Sequence, residues 1–177
     1  MTRPLTLAPT SRARALQRHA GAAAEALVER SHDLMAQLNV ATLAHQEPRF
    51  VHQRGAWVPV GRAPVDYRGV LSGGKAVSVE VKRTATGYLW LRGHVVSHRD
   101  GSTTIEEGDV RDAQRAALDA DHDLGALVLL VVVAQGQLHP LPWGDVRGLP
   151  RVTPDVLAGR AAASALYLAP WVPGARR

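Results

Sequence analysis

The sequence predicts an α/β domain, a mixed β-sheet flanked by helices, and three stretches predict it. Residues 11–39 repeat apolar side chains at helical spacing. Residues 64–82, PVDYRGVLSGGKAVSVEVK, have the form of two strands folded back on each other around Ser72, Gly73 and Gly74. Residues 127–133, LVLLVVV, follow a second helical stretch and read as a strand buried on both faces.

The bulk properties fit one such domain. A chain of 177 residues, 46% apolar, can bury a proper core. Its net charge of +5 and pI near 10.4 suit a polyanionic partner. There are no cysteines, which excludes disulfides, thiolate nucleophiles and Cys-based zinc sites. Residues 1–10 lack the apolar core of a signal peptide, and the longest apolar run, residues 124–134, is too short to span a bilayer. The expectation is a soluble cytoplasmic protein with no membrane partner.

Taken in order, residues 1–10 read as a flexible arm. Ser11 can cap the first helix, whose apolar stripe is Leu16, Ala20, Ala23, Leu27, Leu34 and Leu38. Arg14, Arg18, Gly21, Glu25, Glu29 and His32 take the opposite side. Residues 40–46 read as a strand. A hairpin about Arg54 and Gly55 is flanked by FVHQ and AWVPV.

The hairpin of residues 64–82 carries the chemistry. On its second strand a period of two sets Val77, Val79 and Val81 on one face and Ser78, Glu80 and Lys82 on the other. A two-residue turn would put Asp66 opposite Val81, on the apolar face. A three-residue loop, Ser72 to Gly74, sets it opposite Glu80 instead, because a slip of one residue flips every side chain. With that loop, two carboxylates and one Lys converge where a divalent metal could sit. Lysine usage sharpens the point: of 21 Lys plus Arg, only Lys75 and Lys82 are Lys. A compact ammonium whose pKa can be moved suits holding a water beside a phosphate, whereas Arg is broad and permanently charged. Residues 69–76, GVLSGGKA, mimic a phosphate loop, but Ala76 replaces the needed hydroxyl and a strand follows instead of a helix.

Beyond Lys82, residues 87–96 alternate Tyr88, Trp90, Arg92 and His94 onto one face, which suits base stacking, phosphate contact or packing under a helix. Asp100 and Gly101 signal a turn. His94 and His98 have the spacing of helical zinc ligands, but the stretch reads as strand and turn. Residues 108–122 form the second helix, with Val110, Ala113, Ala117 and Leu118 on its apolar stripe and Gln114 lying on that stripe as well. After the buried strand, Gln135 and Gly136 turn the chain into a strand over residues 138–141. Thr153 caps a short helix with Pro154 at its first position.

The ordered pieces Gly21-x-x-x-Glu25, Pro64-Val65-Asp66-Tyr67, Glu80-Val81-Lys82 and Gln114 resemble the PD-(D/E)xK nuclease superfamily. Within it, the likeness is to Holliday junction resolvases of the RecU and archaeal Hjc kind, and it covers roughly residues 12–141. The resemblance implies a restriction-endonuclease-like fold and one nuclease domain over residues 1–177. It implies that Asp66 and Glu80, helped by the Val81 carbonyl, hold Mg²⁺ with Mn²⁺ as a substitute, and that Lys82 positions the attacking water. Glu25 would complete the acidic cluster and Gln114 would support it. Arg12, Arg14, Arg18, Arg62, Arg68, Arg83, Trp90 and Arg92 would meet DNA. The partners implied are branched DNA, a four-way junction, and a second copy in a homodimer. Little room precedes Asp66 for the stalk that RecU inserts into a junction, so residues 84–107 are the candidate DNA-contacting hairpin in its place. A nuclease of linear duplex and a non-catalytic basic DNA-binding module remain the alternative readings.

Overall fold

A computed structural model describes residues 11–47, 50–53, 56–59, 63–160 and 166–172; for residues 11–21 and most of 50–59 it describes the backbone alone. In chain order the elements are α1 (Ser11–Gln37), β1 (Ala41–His45), β2 (Phe50–Gln53), β3 (Ala56–Pro59), β4 (Tyr67–Leu71), β5 (Ala76–Thr84), β6 (Leu89–Trp90), β7 (His94–Ser97), β8 (Thr103–Glu106), α2 (Asp112–Asp123), β9 (Leu127–Ala134), β10 (Gln137–Pro142), α3 (Trp143–Val146), β11 (Arg151–Val152) and α4 (Pro154–Ala158), with a 3-10 turn at Ala169–Trp171. The predicted mixed sheet flanked by helices is what forms.

The sheet has five strands in the order β1-β4-β5-β9-β10. β5 pairs antiparallel with β4 and parallel with β9, which makes the sheet mixed. The β4–β5 register runs Tyr67↔Val79 to Val70↔Ala76, and the Leu71 N–H donates to the Lys75 carbonyl at 2.8 Å. This is the three-residue loop, with Gly73 and Gly74 at φ 97° and 86°, values that favour glycine. Gly69 lets β1 lie close: a Cβ there would stand 1.8 Å from the Thr42 carbonyl oxygen. The β2–β3 ribbon confirms the predicted flanks, while Arg54 and Gly55 lie outside the described residues.

Two cores cover the sheet. On one face Val77, Val79, Leu129 and Val131 pack with Ala24, Val28 and Met35 of α1 and with Tyr167 and Leu168. On the other Val128, Leu130 and Val132 pack with Leu118 of α2, Trp143, Val146 and Leu157. Every residue of β9 is buried, and a fully buried Val or Leu contributes about 1.5–3 kcal/mol.

Four expectations change. The buried stripe of α1 is Ala24, Val28, Ser31, His32 and Met35, so Ala23, Leu34 and Leu38 are exposed and His32 is in the core. Ser11 lies within α1 rather than ahead of it. The first strand of the central hairpin starts at Tyr67, with Val65 and Asp66 ahead of it. α2 begins at Asp112 and not at residue 108, because the chain ahead of it pairs with β6: the Asp109 N–H donates to the Trp90 carbonyl, and the Trp90 N–H to Asp109 Oδ2. Gly108 sits against the Arg92 backbone, where a Cβ would meet three atoms within 3 Å. The arm of residues 1–10 lies outside the described residues.

Candidate active site

β5 is longer than β4. Their pairing stops at Val79, so Glu80 to Thr84 have β9 on one side and lack β4 on the other. A cavity of about 240 Å³ opens at this step, lined by residues of α1, β1, β5, the first residue of β4 with the segment ahead of it, and the start of α2.

Asp66 stands at the step. Its Oδ2 accepts the Val81 N–H at 2.8 Å, satisfying the first backbone donor that β4 leaves unpaired. The three-residue loop is what brings it there. Glu80 lies behind the cavity wall and is fully buried. Its Oε1 faces Lys82 Nζ at 2.6 Å and accepts a short hydrogen bond from Gln114 Nε2. Its Oε2 is buried with no hydrogen-bond donor. Burial pushes the Glu80 carboxyl above its usual range; the Lys82 ammonium pulls it back and the nearby Asp66 charge pushes it further up.

Gln114 is the hub. Its Oε1 accepts from Lys82 Nζ at 3.2 Å, from Arg111 Nε at 3.2 Å and from the Arg111 backbone N–H at 3.3 Å. Three donors on the carbonyl leave only one orientation for the amide, with its NH₂ toward Glu80. A buried Gln on the apolar stripe of α2 wants such partners, which is why its place in the sequence is informative.

The remaining wall carries both charges: Glu25 from α1 joins Asp66 as a carboxylate, and Arg83 and Arg111 join Lys82 as cations. Tyr67 lines the cavity too, its hydroxyl pushed up to about 12 by burial and by the charges of Glu29, Asp66 and Glu25. His45 closes the rim, its ring edge-on to Tyr67 at 5.1 Å.

The structure therefore gathers Glu25, Asp66, Val81, Lys82 and Gln114 about one cavity with Glu80 behind it. Of the proposed DNA contacts Arg83 lines this cavity, while Arg68, Trp90 and Arg92 lie apart from it. Arg68 is held by both oxygens of Asp121, with Ser78 on the same carboxylate, on the part of the sheet away from the cavity. Trp90 stacks on His94 at 3.9 Å with the Arg151 guanidinium 5.1 Å from its ring, and Arg92 donates to the Arg147 carbonyl. The face alternation of Tyr88, Trp90 and Arg92 holds because Leu89 and Leu91 are buried beneath it. Arg12, Arg14 and Arg18 lie on the described backbone of α1, and Arg62 lies outside the described residues. Sequence reasoning missed Arg111 and His45. Arg111 had one available signal, its place three residues before Gln114 at a helix start.

The donor set can be tested against Mg²⁺. Among the described residues no three His, Cys, Asp or Glu side chains assemble into a metal cage. Asp66 and Glu80 supply two hard carboxylates, which suits an ion that keeps several waters and takes one or two carboxylates. The donorless Oε2 of Glu80 is the acceptor a cation would satisfy. The residues present fit the ion.

Fold and site together define a mixed α/β protein with a charged cavity at the centre of its sheet. Among solved structures the chain is similar to Archaeoglobus fulgidus Hjc, a Holliday junction resolvase from an archaeal hyperthermophile, at 14% identity and a TM-score of 0.43, over 74% of this chain and 89% of that one. No protein-family model and no curated protein matches the chain. Among the described residues no helix is long and apolar enough to cross a membrane.

Proposed function

We propose that this protein is a metal-dependent endodeoxyribonuclease that cuts four-way DNA junctions. The observation that carries the reading is the cavity lined by Asp66 and Lys82 beside Glu80, whose Oε2 is buried without a donor. Asp66, Glu80 and the Val81 carbonyl would hold Mg²⁺, or Mn²⁺ in its place. Bound there, the ion would neutralise charge on the scissile phosphate and lower the pKa of a water.

The chain's own residues do the rest. Gln114 fixes Oε1 of Glu80, which leaves Oε2 as the free acceptor. Lys82, held between Glu80 and Gln114, has one further donor with which to orient a water toward phosphorus. Glu25 adds negative charge to the cavity wall. Arg83 and Arg111, which line the same cavity, offset the substrate's charge. The net charge of +5 supports DNA as the polyanion.

The choice of a junction rests on the resemblance of the ordered motifs to resolvases. Resolution needs two nicks related by an approximate two-fold axis, and each chain brings one Asp66-Glu80-Lys82 set. A symmetric homodimer, working on DNA in the cytoplasm, supplies two.

The test is a labelled four-way junction and a linear duplex of the same sequence, each with and without Mg²⁺. Paired nicks in opposing strands of the junction, dependent on the ion and absent from the duplex, are expected. Equal cutting of both substrates would move the reading to a general duplex nuclease. Binding without cutting under either Mg²⁺ or Mn²⁺ would leave a basic DNA-binding module.

A further inference from the structure

We propose that Arg111 is the residue that grips the scissile phosphate, through the outer nitrogens of its guanidinium. The assignment rests on the nuclease reading above and adds to it a substrate contact that the sequence motifs do not contain.

The first argument is the way the side chain is tethered. Arg111 Nε donates to Gln114 Oε1 at 3.2 Å, and the Arg111 backbone N–H donates to the same oxygen at 3.3 Å. These bonds fix the root of the guanidinium. Its two Nη nitrogens have no hydrogen-bond partner among the described residues, and the residue lines the cavity. A planar fork held at its base and open at its tips matches two oxygens of one phosphate.

The second argument is elimination. Lys82 is engaged by Glu80, Arg68 is held by Asp121, and the Arg151 guanidinium lies over Tyr88 and Trp90. Of the cations in the cavity wall, Arg83 and Arg111 have no carboxylate partner among the described residues. Arg83 is exposed, and among the described residues no hydrogen bond fixes its side chain, so it adds charge without geometry. Arg111 is half-buried and anchored.

The third argument is connection. Gln114 Oε1 is shared by Arg111 and Lys82, while Gln114 Nε2 holds Glu80. A phosphate seated on Arg111 is thereby set in fixed relation to the ammonium that would hold the water and to the carboxylate that would hold the ion. Positioning of this kind lowers a barrier by orientation.

Two measurements on the full chain test it. Binding to a fluorescent four-way junction is followed by anisotropy against salt without divalent ion, and single-turnover cleavage is followed with Mg²⁺. Arg111→Gln should make the slope of log K against log[salt] shallower by about 0.9, one phosphate contact, and slow cleavage by roughly 10²-fold. Arg111→Lys should keep the slope, because the charge remains, yet recover cleavage only in part, because Lys has no Nε for Gln114. A residue that merely supports the start of α2 would leave the slope alone. An unchanged slope in Arg111→Gln, or wild-type cleavage by Arg111→Lys, overturns the assignment. Thermal melting shows whether the Gln variant folds; should it not, the Lys variant decides by its cleavage rate. A wild-type protein that binds DNA but shows these overturning results loses the Arg111 assignment alone. A wild-type protein that binds no DNA loses the nuclease reading and this assignment with it.

Discussion

Two polar clusters lie on opposite faces of the same sheet, and only one of them opens on a cavity. On the α2 face Glu80, Lys82 and Gln114 form a buried network beside the step in the sheet. On the α1 face His32 Nε2 shares a 2.6 Å hydrogen bond with the Tyr167 hydroxyl, edge-on to Tyr67 at 4.5 Å. Each cluster hides one atom without a partner, Glu80 Oε2 in the first and His32 Nδ1 in the second. Burial drives both groups toward neutrality, the carboxyl upward and the imidazole down to about 4. A buried ionisable group with a displaced pKa is therefore not by itself the mark of a site. What distinguishes the Glu80 cluster is company. Residues from five different elements reach the cavity beside it, carboxylates and cations among them. The His32 cluster is covered by the segment 166–172, which seals it as core.

The contrast breaks most sharply under substitution. Asp66→Asn, Glu80→Gln and Lys82→Ala should each slow cleavage by roughly 10²-fold or more while DNA binding persists. Asn still offers an oxygen to the Val81 N–H, so the step in the sheet is kept and loss of activity reports on the carboxylate. Normal turnover by Glu80→Gln would erase the difference between the clusters.

Acid comes next. His32 folds with its pKa near 4 against an ordinary value of 6.5, so the folded state binds the proton less well than the unfolded chain. Stability is fully present above about pH 6.5 and is lost as pH falls toward 4, by up to about 3 kcal/mol. His32→Gln can keep a hydrogen bond to Tyr167 without titrating, so its denaturant midpoint should be flatter over that window. Parallel curves for the two proteins would mean that His32 is not the acid-sensitive group.

The smallest effect is the most discriminating. Tyr167→Phe removes the hydroxyl from His32 and should cost about 1 kcal/mol in urea unfolding. Cleavage of the junction should be unchanged. A comparable loss of cleavage would show that the two faces communicate through Tyr67, which touches both.

Much of this arrangement is legible in the sequence, and the gaps have physical causes. Strict alternation in VSVEVK gives the faces of β5, and the count of residues in the turn gives the register, because a period of two leaves only two outcomes. The phase of α1 is harder. In GAAAEAL an alanine fits either face, so nothing local tells Ala23 from Ala24. His32 then looks like a solvent residue until Tyr167, 135 positions away, is brought against it. The start of α2 misleads because Gly108 and Asp109 resemble a helix entry, whereas the hydrogen bonds of Asp109 to Trp90 and the packing of Gly108 on Arg92 keep them out of the helix. Arg111 is invisible for a related reason: one arginine among many gains its meaning only when α2 places it beside Gln114.

The three residues Ser72, Gly73 and Gly74 carry a consequence for how such a chain can vary over generations. Surface loops are ordinarily where insertions and deletions accumulate. Here the turn is a spacer whose count decides which side of the sheet Asp66 occupies. Its composition is loosely held at Ser72 alone, because the positive φ of Gly73 and Gly74 keeps both positions to glycine even where the surrounding space is empty. Its length is not free. One residue gained or lost, unless a bulge absorbs it, would send the carboxylate to the α1 face and leave the Val81 N–H without its acceptor. Descendants of this chain should therefore vary at Ser72 while keeping the turn's count and its two glycines, the count being a constraint imposed by the far end of the hairpin.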